Sequence, residues 1–412
     1  MPTQNKQKIV NDPVYGFISI PTALVFDLME HPWFQRLRRI KQLGLTHYTY
    51  PSAMHSRFQH ALGAMHLMAQ AIAVLQSKDI PITKEETQGA LVAILLHDMG
   101  HGPYSHTLEQ TIVRSLDHED LSKLFMAALN RQHEGALETA FAIFCNTYPK
   151  KFLHQLVSSQ LDMDRLDYLA RDSFFTGVAE GVISYERIIK MLTVCDDELV
   201  VEGKGIYSIE KFLISRRLMY WQVYLHKTVI AADQIMISLL RRAKYLTENG
   251  DHLFATPAFG AFLKYNPVLG DFESDPYWLE TFAKLDDFDI FSALKVWTLH
   301  PDPILSYLCN ALVNRNLLRS ELQSEPFDPE LVERMRNAVI RRFGIDPGDV
   351  DYFVTCDQVE NKAYNPRHER IMIKEKSGRL TDISQATERD NSLTLPTTVN
   401  KYLLCYPKDV TI

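Results

Sequence analysis

The segment that most restricts this chain is Thr83 to Pro103, where the apolar run Ala90–Leu96 ends directly in His97-Asp98. Thr83-Lys84-Glu85-Glu86 reads as a capping box: the threonine hydroxyl takes the amide of Glu86, and that carboxylate reaches back. Gly100, Gly102 and Pro103 stop the helix it opens. So apolar a helix belongs inside a core, and an imidazole and a carboxylate at its end are costly there unless something binds them. Neighbouring helical residues point about 100° apart, so the pair can grip one cation from two sides while the helix stays buried. The run itself is far too short to cross a bilayer.

The rest of the chain can house such a core. Its 412 residues allow two or three domains, and 46% hydrophobic with 23% charged residues is the balance of a soluble globular protein. Cys145, Cys195, Cys309, Cys356 and Cys405 include no CxxC pair. That argues against a disulfide framework or a thiolate zinc site, and for a reducing compartment. The N-terminal MPTQNKQKIVNDP has no apolar core behind its lysines, unlike a secretory signal. A cytoplasmic protein without membrane attachment is expected. The net charge of −7 argues against a general nucleic-acid coat. Histidine is out of balance: nine of the 15 lie within the first 118 residues, so a cluster with fixed partners is the feature to look for.

The pattern predicts a mainly α fold. His55 to Lys78 suits a long buried helix, and further helices are expected at about 118–147, 152–172, 185–195 and 208–247. Asp271 to Ile290, with seven acids and one lysine, reads as a solvated irregular surface. Near residue 325 the character changes. Asp328-Pro329 opens a helix that Gly344 ends, and VDYFVTC, ERIMIKE, LTDIS and YLLCY read as strands. The expected organisation is a helical catalytic domain, 1–325, and a small α+β module, 326–412.

Two further strings carry chemistry. In HSRFQHALG, Arg57 and His60 are three apart and share a helix face. In LDMDRLDYLARD, Asp164, Tyr168 and Asp172 fall at i, i+4 and i+8, within an arc of about 80°, next to Arg165. Leu166, Leu169 and Ala170 lie around the opposite side. His66, about 240° round the helix from His60, is expected in the core with Met65 and Met68.

The ordered set His60, His97-Asp98 and Asp164 resembles the H…HD…D signature of the HD-domain metal-dependent phosphohydrolases. SRFQHALG, LLHDMGHGPYSH, DHE and DMDRLDYLARD look specifically like the deoxynucleoside triphosphate triphosphohydrolases. That branch includes bacterial dGTPase-like enzymes and the sterile-alpha-motif/HD-domain enzyme of animal cells. The resemblance spans roughly residues 10 to 320, and the small C-terminal module also occurs in bacterial members. It implies a helical HD core holding one divalent transition metal (iron, manganese, zinc, nickel or cobalt), with magnesium arriving on the nucleotide. The metal would lower the pKa of bound water and polarise the α-phosphorus, giving deoxynucleoside and triphosphate.

By the same resemblance His106 is the general acid and Glu109 orients it, although relatives commonly have aspartate there. His101 and His118 would meet the phosphates as cations. Arg57 and Arg165 would clamp phosphate; lysine is familiar at the second position. Gln42, Leu43, Tyr168, Asp172 and Tyr224 would line the sugar, with Asp172 accepting from the 3′-hydroxyl and the tyrosines excluding a 2′-hydroxyl. Arg216 and Tyr220 match the base and phosphate pocket.

HPWFQRLRRIKQLG has four basic residues in six and by itself suggests a basic face for acidic partners. In the family, part of it forms a guanine-nucleotide activator site at a subunit interface. Gln35 and Arg38 match base-reading positions, with Glu30 where aspartate is usual. A homo-oligomer, dimer or tetramer, activated by dGTP or GTP is thus an expectation. Two other readings stay open: an HD phosphohydrolase acting on another nucleotide or phosphoester, and an inactive nucleotide sensor or nucleic-acid-binding scaffold. Against the second stands the presence of every expected ligand and of His106.

Overall fold

The computed structural model describes residues 8–114, 116–361, 370–386 and 399–410. In it the capped segment is the helix Lys84–Leu96. Glu86 N donates to Thr83 Oγ1 at 3.1 Å, and Thr83 N donates back to Glu86 Oε2 at 2.8 Å. Gly89 through Leu96 are all buried. This helix packs on Arg57–Ser77, which packs in turn on Met163–Thr176. Three sequence-distant stretches therefore meet at one end of a helical core. Arg57–Ser77 is long and apolar enough to span a membrane, but 67% of its apolar window is buried.

The fold is mainly α, and local chemistry explains where the helices differ from expectation. The stretch 152–172 is two helices, Lys151–Val157 and Met163–Thr176. Asp162 separates them by capping the second: its carboxylate accepts from Arg165 N and Ser159 N, both at 2.7 Å. The helix expected at 185–195 ends at Met191, and Leu192–Cys195 is a strand instead. The stretch 208–247 divides at Tyr220–Tyr224, bending by 56° before Lys227–Glu248.

Asp271 to Ile290 is solvated only in part, with Glu273, Asp275 and Glu280 exposed, and it is not irregular. It folds into parts of the helices Leu269–Ser274, Pro276–Phe282 and Asp287–Trp297, and buries Asp286 and Asp287. The basic segment is its partner. Arg39 pairs with Asp286, and Lys41 Nζ donates to Asp287 at 3.1 Å. Arg36 is fully buried and donates to the carbonyls of Leu285, Met99 and His101 at 2.8–2.9 Å. Burial pushes the Arg36 guanidinium down to about 9. Three of the four basic residues thus bond to the acidic segment, while Arg38 and Arg39 stay exposed at the surface.

Three small sheets complete the fold. An N-terminal hairpin joins β1 (Ile9–Asp12) to β2 (Gly16–Ser19). β3 (Leu192–Cys195) and β4 (Glu198–Glu202) are antiparallel. β5 (Arg319–Gln323) pairs with β9 (Val399–Tyr406), which also pairs with β6 (Thr355–Asn361). β7 (Met372–Lys374) lies parallel to β4 and antiparallel to β8 (Leu380–Asp382). β5 precedes residue 325 and β4 lies far upstream, so both sheets draw strands from each side of that boundary. Within VDYFVTC only the end is strand, because Pro347–Tyr352 winds into a 3-10 helix.

Candidate metal centre and adjoining cavity

His60 comes from the first turn of its helix and is fully buried. Its Nδ1 lies 2.8 Å from Asp167 Oδ2, and His97 Nδ1 lies 2.6 Å from the Ile94 carbonyl oxygen. Both partners can only accept, so both Nδ1 atoms carry the proton and both Nε2 atoms present lone pairs. Those two Nε2 atoms stand 3.4 Å apart, and Asp164 Oδ1 lies 3.1 Å from the first and 3.6 Å from the second. An ion bonded at about 2.0–2.2 Å in a tetrahedral or octahedral shell holds its donors about 2.8–3.6 Å apart. Once the Nε2 protons are displaced, three converging acceptors fit a cation, and the three atoms match that spacing. Nitrogen with carboxylate suits a divalent ion of intermediate softness.

Asp98 flanks this trio. Its Oδ1 is 3.4 Å from His97 Nε2, and its Oδ2 is 3.6 Å from His60 Nε2 and 2.5 Å from Arg57 Nη1. The electrostatics ask for positive charge. Burial disfavours an imidazolium at His60, but Asp164, Asp167 and Asp98 outweigh it and raise His60 to about 10. His97 is likewise raised against burial by Asp98 and Asp164. Burial works against ionising Asp164, yet the two histidines hold it below the carboxylate range. An ion entering here displaces protons.

Behind the site runs a chain of buried partners absent from the sequence reading. Arg171 grips Asp167 through Nε at 2.9 Å and Nη2 at 3.0 Å, and reaches Asp12 of the N-terminal hairpin at 2.7 Å. The i, i+4 spacing of Asp167 and Arg171 was the available signal. This chain fixes the His60 ring and its tautomer.

Beyond the HD motif the chain turns sharply. Tyr104 and Ser105 both have left-handed backbones, at φ 55° and 54°. The strain is held from outside: Tyr104 N donates to Asp287 Oδ1 at 2.8 Å, and Arg57 Nε donates to Ser105 Oγ at 2.7 Å. Arg57 is thus tied to Asp98 and to this turn. The turn carries His106, whose Nδ1 lies 3.0 Å from Glu109 Oε2. Glu109 Oε1 also accepts from His118 Nδ1 and His118 N, each at 2.6 Å. One carboxylate orients two imidazoles, and despite its partial burial those bonds hold it well below the usual range.

His101 completes a second cluster, 4.0 Å from the His118 ring and 4.8 Å from the His106 ring. It is not the expected cation. Burial, with the Arg57 charge nearby, pushes it well below the ordinary histidine value. Its Nδ1 is 3.2 Å from Asp98 Oδ1, but neither ring nitrogen has a hydrogen-bonded partner among the described residues.

A cavity of about 850 Å³ opens over both clusters. Gln42, Leu43, Arg57, Arg165, Tyr168, Asp172, Arg216, Tyr220 and Tyr224 all line it, as do His97, Asp98, Asp164, His101, His106 and His118. The arginine heads are engaged within it. Arg165 Nε donates to the Ser159 carbonyl at 2.5 Å and lies 3.3 Å from Asp162, while Arg216 Nη1 donates to Gln160 Oε1 at 2.9 Å. Asp172 accepts from Tyr224 Oη at 2.8 Å and lies 2.7 Å from His55 Nε2; His55 is a buried residue to which the sequence reading gave no role. Each carboxylate oxygen keeps a second lone pair, and Asp172 lines the cavity. Glu30, Gln35 and Arg38 do not line it. Arg38 Nε instead donates to Gln35 Oε1 at 2.7 Å, and its guanidinium covers Phe58 at 3.6 Å.

Helices that deliver two histidines and a carboxylate to one buried point, with phosphate-sized space beside it, define a class. A family model described as an HD domain matches residues 57–172, and one described as an HD associated region matches 183–253. The chain belongs to the HD-domain phosphohydrolases, on the side of that family resembling the deoxynucleoside triphosphate triphosphohydrolases. It is similar to a phosphohydrolase from Bacteroides thetaiotaomicron whose crystal structure superposes with a TM-score of 0.93 at 50% identity, covering 97% of this chain and 100% of that one. The uncharacterised protein YwfO of Bacillus subtilis is 31% identical over 420 residues, 98% of this chain and 93% of its own. The human deoxynucleoside triphosphate triphosphohydrolase SAMHD1 is 28% identical over 324 residues, 68% of this chain and 49% of its own.

Proposed function

We propose that this protein hydrolyses deoxynucleoside triphosphates to deoxynucleoside and triphosphate. The observation that carries the reading is that one cavity is lined together by His97, Asp98 and Asp164 of the metal site, with His60 buried behind them, by His101, His106 and His118, and by Tyr168, Asp172 and Tyr224. Its volume of about 850 Å³ is in the range of small-molecule sites. The relatives named as deoxynucleoside triphosphate triphosphohydrolases support the substrate class.

His60, His97 and Asp164, flanked by Asp98, would hold one divalent ion, which supplies a water acidified toward neutrality and Lewis acidity at phosphorus. The chain's own groups do the rest. A sugar 5′-oxygen leaves poorly unless protonated, and His106 holds the proton for it while Glu109 fixes the ring through Nδ1. His118, on the same carboxylate, and Arg57 face the phosphates. Asp172, held by His55 and Tyr224, keeps lone pairs for the 3′-hydroxyl, and the Tyr168 and Tyr224 rings, 6.3 Å apart, wall the sugar. The reading extends to a homo-oligomer with dGTP or GTP bound near Glu30, Gln35 and Arg38, supported by the Gln35–Arg38 pair at the surface.

The test is a panel of dNTPs, NTPs and simple phosphoesters with Mn²⁺ and Mg²⁺, with and without dGTP, resolving each product. Triphosphate from dNTPs, with slower NTP turnover, is the expected result. Pyrophosphate or single phosphate as the product refutes it. His106→Ala should keep its metal and lose about 10²–10⁴ in rate.

A further inference from the structure

His106 is the least supported of the cavity histidines by its own element. Its side chain is 66% exposed, and it sits in the short turn Ser105–Thr107, directly after the left-handed residues Tyr104 and Ser105. The next residue, Thr107, is fastened across 126 positions of sequence: its Oγ1 donates to Asp233 Oδ1 at 2.9 Å. Asp233 belongs to the Lys227–Glu248 helix and lines the cavity. Thr107 is the one group bonded to its carboxylate among the described residues. Burial pushes this carboxyl up to about 7, against the Thr107 bond, which favours ionisation.

Two neighbours show that the fastening is built. At Gly44 an added methyl would stand 3.2 Å from the Tyr104 carbonyl oxygen and 3.5 Å from Thr107 Oγ1, so the backbone lies against the turn. One end of the same helix clasps the segment again, with Lys244 Nζ donating to the Ile112 carbonyl at 3.2 Å. The stretch from Thr107 to Ile112, which holds Glu109, is thus pinned at both ends on one helix.

We propose that Asp233 is a positioning residue for His106: by holding Thr107 it sets the imidazole at the distance from which a proton reaches the leaving oxygen. The inference rests on the acid role given to His106 above. Proton transfer needs heavy atoms about 2.6–3.2 Å apart, and a misplacement of about 1 Å costs on the order of 10²-fold. A carboxylate makes the stronger, charge-assisted latch on a hydroxyl.

The experiment compares a dNTP with a 4-nitrophenyl phosphodiester, whose leaving group needs no acid, in the metal-loaded full chain. Asp233→Ala and Thr107→Val should each lower kcat on the dNTP about 10–100-fold, with KM within threefold, unchanged metal content and less than a threefold loss on the activated ester. The double variant should be no worse than either single. Thr107→Ser and Asp233→Asn, which keep donor and acceptor, should stay within a few-fold of wild type. Thr107→Val with wild-type kcat, equal losses on both substrates, or losses that multiply in the double variant overturn the latch. His106→Ala run alongside separates the two ideas: if it discriminates between substrates and Asp233→Ala does not, the latch alone fails. If His106→Ala itself loses equally on both, the acid role fails and the latch with it.

Discussion

Gly63 sits one helical turn after His60, in a position where alanine would ordinarily stabilise a helix by about 1 kcal/mol. Here the sign should invert. A methyl at Gly63 would stand 1.9 Å from Asp167 Oδ1 and 2.2 Å from Arg171 Nη2. Relief needs a displacement of about 1.5 Å to regain contact near 3.5 Å. Two charge-assisted bonds break in that movement: Arg171 Nη2 to Asp167 Oδ1 at 3.0 Å, and His60 Nδ1 to Asp167 Oδ2 at 2.8 Å. At about 1.5–3 kcal/mol each, less the helix gain of about 1 kcal/mol, Gly63→Ala should cost about 2–5 kcal/mol. It should also lose metal, because the His60 ring loses the partner that fixes its tautomer. The assay is the thermal midpoint with metal content by mass spectrometry, beside Gly260→Ala, whose methyl would meet only Ala255 Cβ at 3.7 Å. The control should hold or raise the midpoint. A Gly63→Ala protein as stable and as metal-rich as wild type would refute the assignment of Asp167 as the support of His60.

Two further expectations test the scaffold. Burial and the nearby Arg114 lower Lys244 from 10.5 to about 8. Between those values the unfolded chain binds a proton that the folded chain does not, so the lysine's penalty is present below pH 8 and is relieved as pH rises through the window. The stability difference between wild type and Lys244→Met should therefore shift toward wild type by about 2–3 kcal/mol from pH 8 to 10, read by urea midpoints; a flat difference contradicts the burial of the charge. Asp287→Ala should cost about 2–4 kcal/mol, since it frees Tyr104 N and Lys41. It should cut kcat while leaving the metal in place, and metal loss comparable to that of Asp164→Ala would place Asp287 in the ion site instead.

Much of the site was legible because its chemistry is local. The helix ending in His97-Asp98, the i, i+4, i+8 edge of Asp164, Tyr168 and Asp172, and the Arg57–His60 face all depend on helical spacing, and all line or adjoin one cavity. The His106–Glu109 pair is three residues apart and meets as read. What failed was long-range. Asp271 to Ile290 read as solvated because its acids outnumber its lysine, but the partners of its buried end, Arg36, Arg39 and Lys41, lie 246–249 residues away. His101 read as a cation because its sequence position says nothing of the desolvation around it. Asp233, Asp12 and Asp287 carried no motif at all, and His55 stood inside one without a role.

By itself, then, the sequence determined the helices that carry the site, the faces they bury and the donors each one offers, since these follow from a period of 3.6 residues and from caps a few positions away. Tertiary structure alone decided which donors meet, which imidazole stays neutral and which buried carboxylate holds which loop. Those depend on desolvation and on bonds between groups more than a hundred residues apart, and no local spacing encodes either.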